Sequence, residues 1–270
     1  MQERAQDVKT RVAGLFDRLA PTYDTVIPFF GTFARRLVEI ADLTSGARVL
    51  DVACGRGACS RAAAAAVGPR GCVIGLDISE AMVDATAKEL AGHGLRQVEV
   101  RVGDAEHIDA PDESFDAVVC GFGVFFFPDP DRALAECHRV LVPGGRLAAS
   151  TFTDAVSCYP WVTDVAAELG RPPTLPDSPV RKAEGLRAAL ERAGFAGVST
   201  TRVEERFVLR DVDEFVAFTW STGIRRMLET LDADELRRYR EASAARLAGH
   251  AVEGGYEYVQ AVDITVALRP

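Results

Sequence analysis

The residues best placed to do chemistry are carboxylates and glycines recurring at the ends of apolar runs. Val49-Leu50-Asp51-Val52-Ala53-Cys54-Gly55-Arg56-Gly57 begins as a β-branched strand, breaks at a Gly-x-Gly turn and runs into the alanine-rich Ala58–Val67. Two glycines at a strand-to-helix turn let the backbone approach a ligand that a Cβ would block. The free N–H groups of the following helix can then meet polar or anionic groups. Asp77 ends the next apolar run, Gly71–Ser79. A carboxylate about twenty residues past such a turn can accept hydrogen bonds from both hydroxyls of a ribose. Asp104 follows Val98–Val102, and Gly121 follows Phe115–Cys120. The chemistry this spacing suits is the binding of a nucleotide-like molecule. A dinucleotide is disfavoured, because Gly55-Arg56-Gly57-Ala58-Cys59-Ser60 lacks the third fingerprint glycine.

The elements that must position these residues alternate strand and helix. Strands are expected at 49–52, 71–79, 98–102, 115–120 and 146–151, with helices at 58–67, 80–91 and 132–141 between them. Ser79 is a natural N-cap for the second of these helices, and Pro143-Gly144-Gly145 reads as a sharp turn before the fifth strand. Such alternation implies right-handed βαβ units and a parallel sheet with its crevice at the strands' carboxyl ends. Ahead of it, about residues 7–20 carry Val8, Val12, Leu15, Phe16 and Leu19 on one helical face. A break at Pro21 and a second helix at 31–41 follow. Beyond Thr151 the expected elements are a helix-bearing insertion at 153–169, a helix at 183–193, a sixth strand at 195–209, helices at 211–221 and 233–247, and a closing strand at 256–268. The fold class is α/β: a Rossmann-like, seven-stranded, mostly parallel sheet with helices on both faces and a helical cap from N-terminal and C-terminal insertions. The chain divides as one domain over 1–270: lid helices at 1–44, a cofactor-binding core at 45–152, cap insertions with strand six at 153–250, and the final strand at 251–270.

Composition narrows the partners. A net charge of −9 without a Lys/Arg run argues against nucleic acid. The six cysteines include no C-x-x-C pair, so neither zinc nor a disulfide framework is expected. No apolar run is long enough to cross a bilayer and the first ten residues are too polar for a signal peptide, which reads as a cytoplasmic protein without membrane contact. A homodimer stays open.

In order and spacing, these motifs resemble the class I S-adenosylmethionine-dependent methyltransferases. Residues 49–57 match the first motif, Gly75-Leu76-Asp77-Ile78-Ser79 the acidic ribose position and Gly103-Asp104-Ala105 the adenine position. Ser114–Val119 matches the fourth-strand motif and Arg139–Gly145 the turn before strand five. The leading Phe16-Asp17-Arg18-Leu19-Ala20-Pro21-Thr22-Tyr23-Asp24 resembles the ubiquinone/menaquinone-biosynthesis methyltransferases and related small-molecule enzymes. The resemblance implies S-adenosyl-L-methionine as cofactor, S-adenosyl-L-homocysteine as product, and no metal. It implies that Asp51, Ala53, Cys54, Gly55 and Gly57 hold the methionine part, Asp77 the ribose, Ile78 and Met82 the adenine faces, and Asp104 and Ala105 the adenine edge. Gly121 and Phe122 would pass near the amino group and sulfonium, with Tyr23 as a lid residue over the cofactor. Arg56 stands where threonine is common and Ala53 where glycine is common; neither change is expected to abolish binding, because those contacts are mainly backbone.

Catalysis is then chiefly positioning, since in-line methyl transfer needs a held nucleophile and excluded solvent. Many relatives carry a histidine just before the Pro-Asp after strand four; here phenylalanine occupies that place, at Phe126 or Phe127. Tyr23 and His107 are the weak catalytic candidates, and His93, His138 and His250 offer no better base. Candidates for the pocket of a small, fairly apolar substrate are Phe126, Phe127, Phe152, Tyr159, Trp161, Trp220 and Arg225. Carbon or nitrogen methylation, or methylation of an already acidic oxygen, fits the missing histidine. The competing reading is a protein of the same fold that binds the cofactor but performs a cyclisation or rearrangement, or binds it for regulation.

Overall fold

A computed structural model describes residues 2–157, 159–170 and 178–270; within these, the side chains of 2–4, 154–157, 159–161, 163 and 166 lie outside the description. Strands β1 (Arg48–Val52), β2 (Cys72–Asp77), β3 (Val98–Val102), β4 (Phe115–Gly121), β5 (Leu141–Ser157), β6 (Ala196–Leu209), β7 (Ala251–Val252) and β8 (Gly255–Leu268) form one sheet. Its order is β3-β2-β1-β4-β5-β8-β6, with β7 paired to β8 off this path. The expected seven strands are therefore joined by an eighth, two-residue ribbon that turns back on β8 at Gly254 and Gly255. β1 to β5 run parallel, while β8 is antiparallel to both β5 and β6. Central β1 and β4 are buried at most positions because both faces are covered; the edge strand β3 keeps an alternating Val/charged pattern and is half open.

Helices flank the sheet in two groups. α2 (Phe29–Ala41) packs on α3 (Ala58–Val67), and α4 (Glu80–Gly92) lies on β2 and β3. α5 (Pro130–Val140) and α7 (Ala183–Arg192) pack together on β5, β6 and β8. The remaining helices are α6 (Tyr159–Glu168), α8 (Val212–Trp220), α9 (Arg225–Leu228) and α10 (Ala233–Leu247), with α10 resting on α6 and α8. α1 (Gln2–Leu19) contacts α4.

Boundaries departed from the sequence pattern where capping chemistry decides them. α5 starts two residues before Arg132, because the Asp129 carboxylate accepts the Arg132 N–H and Pro130 enters the first turn, where its missing donor costs nothing. α2 starts at Phe29, because the Asp24 carboxylate reaches forward to accept the N–H groups of Phe30 and Gly31, at 2.9 and 3.0 Å. Pro143-Gly144-Gly145 is not a turn ahead of the fifth strand. It sits inside β5 as an irregularity, with Leu141 opposite Phe115 and Arg146 opposite Ala117, and the Gly144 N–H donates to the Arg269 carbonyl at 2.8 Å.

The chain leaves β3 at one edge and returns as β4 beside β1, so β1 and β4 bracket the point where strand order reverses. An open crevice is forced there, since the loops leaving the two strands turn apart. Ala53 and Gly55 leave one side of it, Gly121 and Phe122 the other. Both Ala53 (φ 56°) and Phe122 (φ 57°) are left-handed, a conformation that costs a side-chain-bearing residue of order 1–3 kcal/mol. Ala53 is tolerated because its neighbour across the crevice is Gly123, where an added Cβ would stand 2.5 Å from the Ala53 Cβ. Gly123→Ala is accordingly expected to destabilise the chain by about 1–3 kcal/mol. Ala53→Gly should recover part of that loss in the double variant, as urea unfolding would measure; simple additivity of the two changes would contradict the pairing.

Candidate cofactor site

Two cavities of about 460 and 690 Å³ share Tyr23, Ala53, Gly55, Gly121 and Phe122, and so form one crevice with a waist at the β1/β4 loops. The smaller end is lined by Asp51, Cys54, Arg56, Cys59 and the α2 residues Phe30, Phe33 and Leu37, among others. The larger end holds Asp77, Ile78, Asp104 and Ala105, with Phe126, Phe127 and Pro128 beside them.

Asp51 is fully buried beneath the turn. Its Oδ2 accepts the Ser60 hydroxyl at 2.6 Å, whereas Oδ1 has no partner. Desolvation, reinforced by the nearby Asp77 charge, pushes this carboxyl up to about 7, against the pull of the Ser60 bonds and Arg61. Asp77 is organised differently. Its oxygens accept the Gly55 N–H (2.8 Å) and the Ser79 N–H (2.9 Å), tying the end of β2 to the turn after β1. Burial raises it from the ordinary aspartate value, against the opposing pull of those backbone bonds. Each oxygen retains a lone pair for the cavity.

At the far end Asp104 lies between its own loop and α1. Oδ1 accepts the Glu106 N–H at 2.9 Å, and Oδ2 meets Lys9 Nζ at 2.7 Å. The same ammonium lies 2.5 Å from Glu106 Oε2. Partial burial pushes Asp104 up, but the Lys9 and backbone bonds outweigh it and leave the carboxyl below its usual value. Neither Lys9 nor Glu106 was singled out from sequence. The one available signal was spacing: Lys9, Val12 and Phe16 fall on one helical stripe, and all three line the cavity.

The N-terminal motif is a set of clamps. Asp17 accepts the Ser79 hydroxyl (2.5 Å) and the Ala81 N–H (3.2 Å) at the start of α4. Arg18 forms a two-pronged pair with Glu229 just past α9, at 3.2 and 3.1 Å. Tyr23 stacks on Phe30, with ring centroids 4.4 Å apart, and stands at the waist between the two cavities.

Not every sequence-derived candidate lines the crevice. Gly57 caps α3 at φ 71°, where an added Cβ would stand 2.7 Å from Thr86 Cγ2, and it lines neither cavity, so its part is in shaping the turn. Met82 is fully buried among Leu15, Leu19 and Ala20, where it seats α1 on α4 instead of flanking an open cavity. His107 is largely exposed, 3.4 Å from Asp104 Oδ2, and lines neither cavity. Phe152 packs on Phe122 and Phe125 behind the wall. Trp220 and Arg225 engage each other, 5.9 Å from guanidinium to ring centroid, and Arg225 also donates to the Arg18 carbonyl and to Glu229. They hold α1 and α9 together and line neither cavity. The side chains of Tyr159 and Trp161 lie outside the described residues. Of the substrate candidates, Phe126 and Phe127 face the crevice.

A ligand for this crevice would offer a cation to Asp51 Oδ1 at one end, hydroxyls to Asp77 at the middle and a polar edge to Asp104 at the other. The two ends meet at a narrow, aromatic waist. S-adenosylmethionine, with an ammonium, a ribose and an adenine in that order, fits this donor and acceptor set.

Comparison with known proteins agrees. Residues 49–145 match the family described as "Methyltransferase domain". Nocamycin O-methyltransferase of Saccharothrix syringae is 35% identical over 280 residues, covering 95% of this chain and 98% of the relative. Aklanonic acid methyltransferase of Streptomyces sp. (strain C5) is 37% identical over 212 residues, covering 72% of this chain and 96% of the relative. A structure from Bacillus halodurans C-125, described as that of a methyltransferase, superposes with a TM-score of 0.60 at 23% identity, covering 88% of this chain and 99% of that one. The fold and the crevice are those of a class I S-adenosylmethionine-binding protein. The chain belongs to the S-adenosylmethionine-dependent methyltransferases that act on small molecules. Among the described residues no helix is long and apolar enough to cross a membrane.

Proposed function

We propose that this protein methylates an oxygen that is already acidic, a carboxylate or an enolate, on a small and largely apolar molecule. The observation that carries this reading is the state of the charged groups around the crevice. Asp24 is held by two backbone N–H groups, Asp77 by two more, Asp104 by Lys9, and Arg56 by the Ala20 carbonyl and Glu89. Asp51, whose Oδ1 is open, lines the smaller cavity and not the one walled by Phe126 and Phe127. Cys54 and Cys59 are raised well above the ordinary thiol value, by burial first and by Asp51 next, and so stay protonated. Phe126 and Phe127, one of which occupies the place where many relatives carry a histidine, line the crevice. A substrate that arrives as an anion needs no proton removed.

When bound, S-adenosylmethionine supplies a methyl carbon made electrophilic by its sulfonium. The protein's share is to hold the acceptor in line and keep water out, an effect worth several kcal/mol of barrier. Tyr23 stacked on Phe30, and Phe122 packed against Phe29, Phe30, Phe33 and Phe152, close the waist with rings that offer water little to bond to. Val12, Phe16, Phe126 and Phe127 provide an apolar wall for the body of the acceptor. The name of the first relative, an O-methyltransferase, supports oxygen as the methylated atom, and that of the second, which names an acid, fits an acidic acceptor. Asp51, Cys54, Gly55, Asp77, Ile78, Asp104, Ala105, Gly121 and Phe122 are proposed as the cofactor contacts.

The test is incubation with methyl-labelled S-adenosylmethionine and a panel of polycyclic carboxylic acids and enols, each beside its neutral phenol or ester counterpart. Label is expected in products of the acids, and mild alkali should release it as methanol where the product is an ester. Label fixed on carbon or nitrogen, or cofactor-dependent product without label, would overturn the proposal.

A further inference from the structure

The Arg56 side chain does something that its place in a backbone-binding turn does not require. Its guanidinium donates to the Ala20 carbonyl at 2.6 Å, just past the end of α1, and to Glu89 Oε2 at 2.8 Å on α4. Its own carbonyl accepts from Arg61 at 2.6 Å. Glu89 is shared, since Arg61 also lies 3.1 Å from its other oxygen, so two guanidinium groups are paired to one carboxylate. The third nitrogen of the guanidinium, Nε, is buried without a partner, and Arg56 lines the smaller cavity. An unmade hydrogen bond from a buried charged group is costly, and such groups are ordinarily satisfied.

Asp51, whose Oδ1 is the other buried charged atom of the turn without a partner, lines the same cavity. One small cavity is thus lined by a residue with an unmet anionic acceptor and a residue with an unmet cationic donor. The complement is a zwitterion: an ammonium for the carboxylate and a carboxylate for the guanidinium. Water would satisfy either atom singly, whereas a zwitterion satisfies the two together and matches the sign of each.

We propose that Arg56 binds the α-carboxylate of the cofactor's amino-acid tail through the donor left open at Nε. It is thereby a determinant of selectivity for the intact tail. The fixed bonds to Ala20 and Glu89 pre-set the guanidinium, so little side-chain freedom is lost on binding. The inference rests on the cofactor's placement in the crevice and is independent of which acceptor is methylated.

Two ligands separate the contact from a scaffolding role. S-adenosylhomocysteine carries the amino-acid tail; 5′-methylthioadenosine has the same adenosine and thioether without it. Arg56→Thr is expected to weaken S-adenosylhomocysteine roughly 10- to 100-fold by calorimetry, the range of a lost hydrogen bond to a charged group, and to leave 5′-methylthioadenosine within about twofold. Arg56→Lys should fall between, retaining charge but not the fork geometry. Equal loss for both ligands would reduce Arg56 to a support for the turn and α1, and no loss for either would remove it from the site; each result overturns the proposal. Should Arg56→Thr not fold, the wild-type chain decides. The decarboxylated analogue of S-adenosylhomocysteine, which keeps the amine, should bind at least tenfold more weakly than the parent, and equal binding would refute the contact. Failure of the wild type to bind any of these ligands would instead refute the cofactor's placement.

Discussion

Asp77→Ala is expected to weaken S-adenosylhomocysteine binding by about 100-fold or more. The carboxylate is buried at the end of β2, and both oxygens are already oriented by the Gly55 and Ser79 N–H groups. Orientation of this kind leaves one lone pair per oxygen directed elsewhere, which matches a vicinal diol. Two hydrogen bonds to a charged acceptor at about 1.5–3 kcal/mol each make up the stated loss and more, at 1.4 kcal/mol per factor of ten. The same truncation leaves two backbone donors without an acceptor at the crevice, which costs stability of about 1–3 kcal/mol for each one that water does not reach. Asp77→Asn should do nearly as badly, since its amide nitrogen would face a backbone N–H where an oxygen now accepts. Calorimetric titration at a temperature where circular dichroism shows both variants folded makes the measurement. An unchanged dissociation constant would remove Asp77 from the ribose position.

This residue was legible from sequence, and the reason is geometrical. In a parallel sheet the carboxyl ends of neighbouring strands come to one level, and register carries this through. Asp51 pairs with Gly75 and with Val119, and Asp77 with Val102. A carboxylate or glycine at the end of each apolar run therefore arrives in one crevice whatever the helices between do. Arg56, Lys9 and Arg225 show what is not legible. Each owes its role to partners far along the chain: Ala20 and Glu89 for the first, Asp104 and Glu106 for the second, the Arg18 carbonyl for the third. A lysine next to an apolar stripe and an arginine after a glycine look alike in sequence whether they face solvent or a carboxylate. Met82 illustrates the converse. The family resemblance implies an adenine contact for it, but α1 covers that position and the side chain packs among Leu15, Leu19 and Ala20. The docking of α1 also explains the Phe16–Asp24 motif, whose polar members bind α4, α9 and α2, contacts that periodicity within a single helix cannot reveal.

Asp51 should make cofactor affinity depend on pH in a way no other group of the site does. The carboxyl sits at about 7 in the folded chain against an ordinary 3.8, chiefly because burial disfavours its charged form. A raised carboxyl means that the folded chain keeps a proton the unfolded chain has released. The group's contribution to stability therefore stands at its best below about pH 4 and declines as pH rises towards 7. The full decline would be about 4 kcal/mol at 1.36 kcal/mol per pH unit. A tail ammonium beside Oδ1 reverses the preference, since it favours the ionised form. Binding must then expel the proton wherever the free protein holds it. Affinity for S-adenosylhomocysteine is expected to fall as pH drops below about 7, by roughly tenfold between pH 8 and 6, and to level off above pH 8. 5′-Methylthioadenosine, which has no ammonium, should bind with little slope over the same range. Asp51→Asn should abolish the slope for S-adenosylhomocysteine, bind it no better than the protonated wild type, and be more stable than the wild type at pH 8, where the buried charge is gone. Proton release measured by calorimetry in buffers of different ionisation enthalpy gives an independent reading, with close to one proton released at pH 6 and almost none at pH 8.5. Equal slopes for the two ligands would place the titrating group outside the tail cavity. A flat profile for both would mean that Asp51 does not meet the ammonium at all.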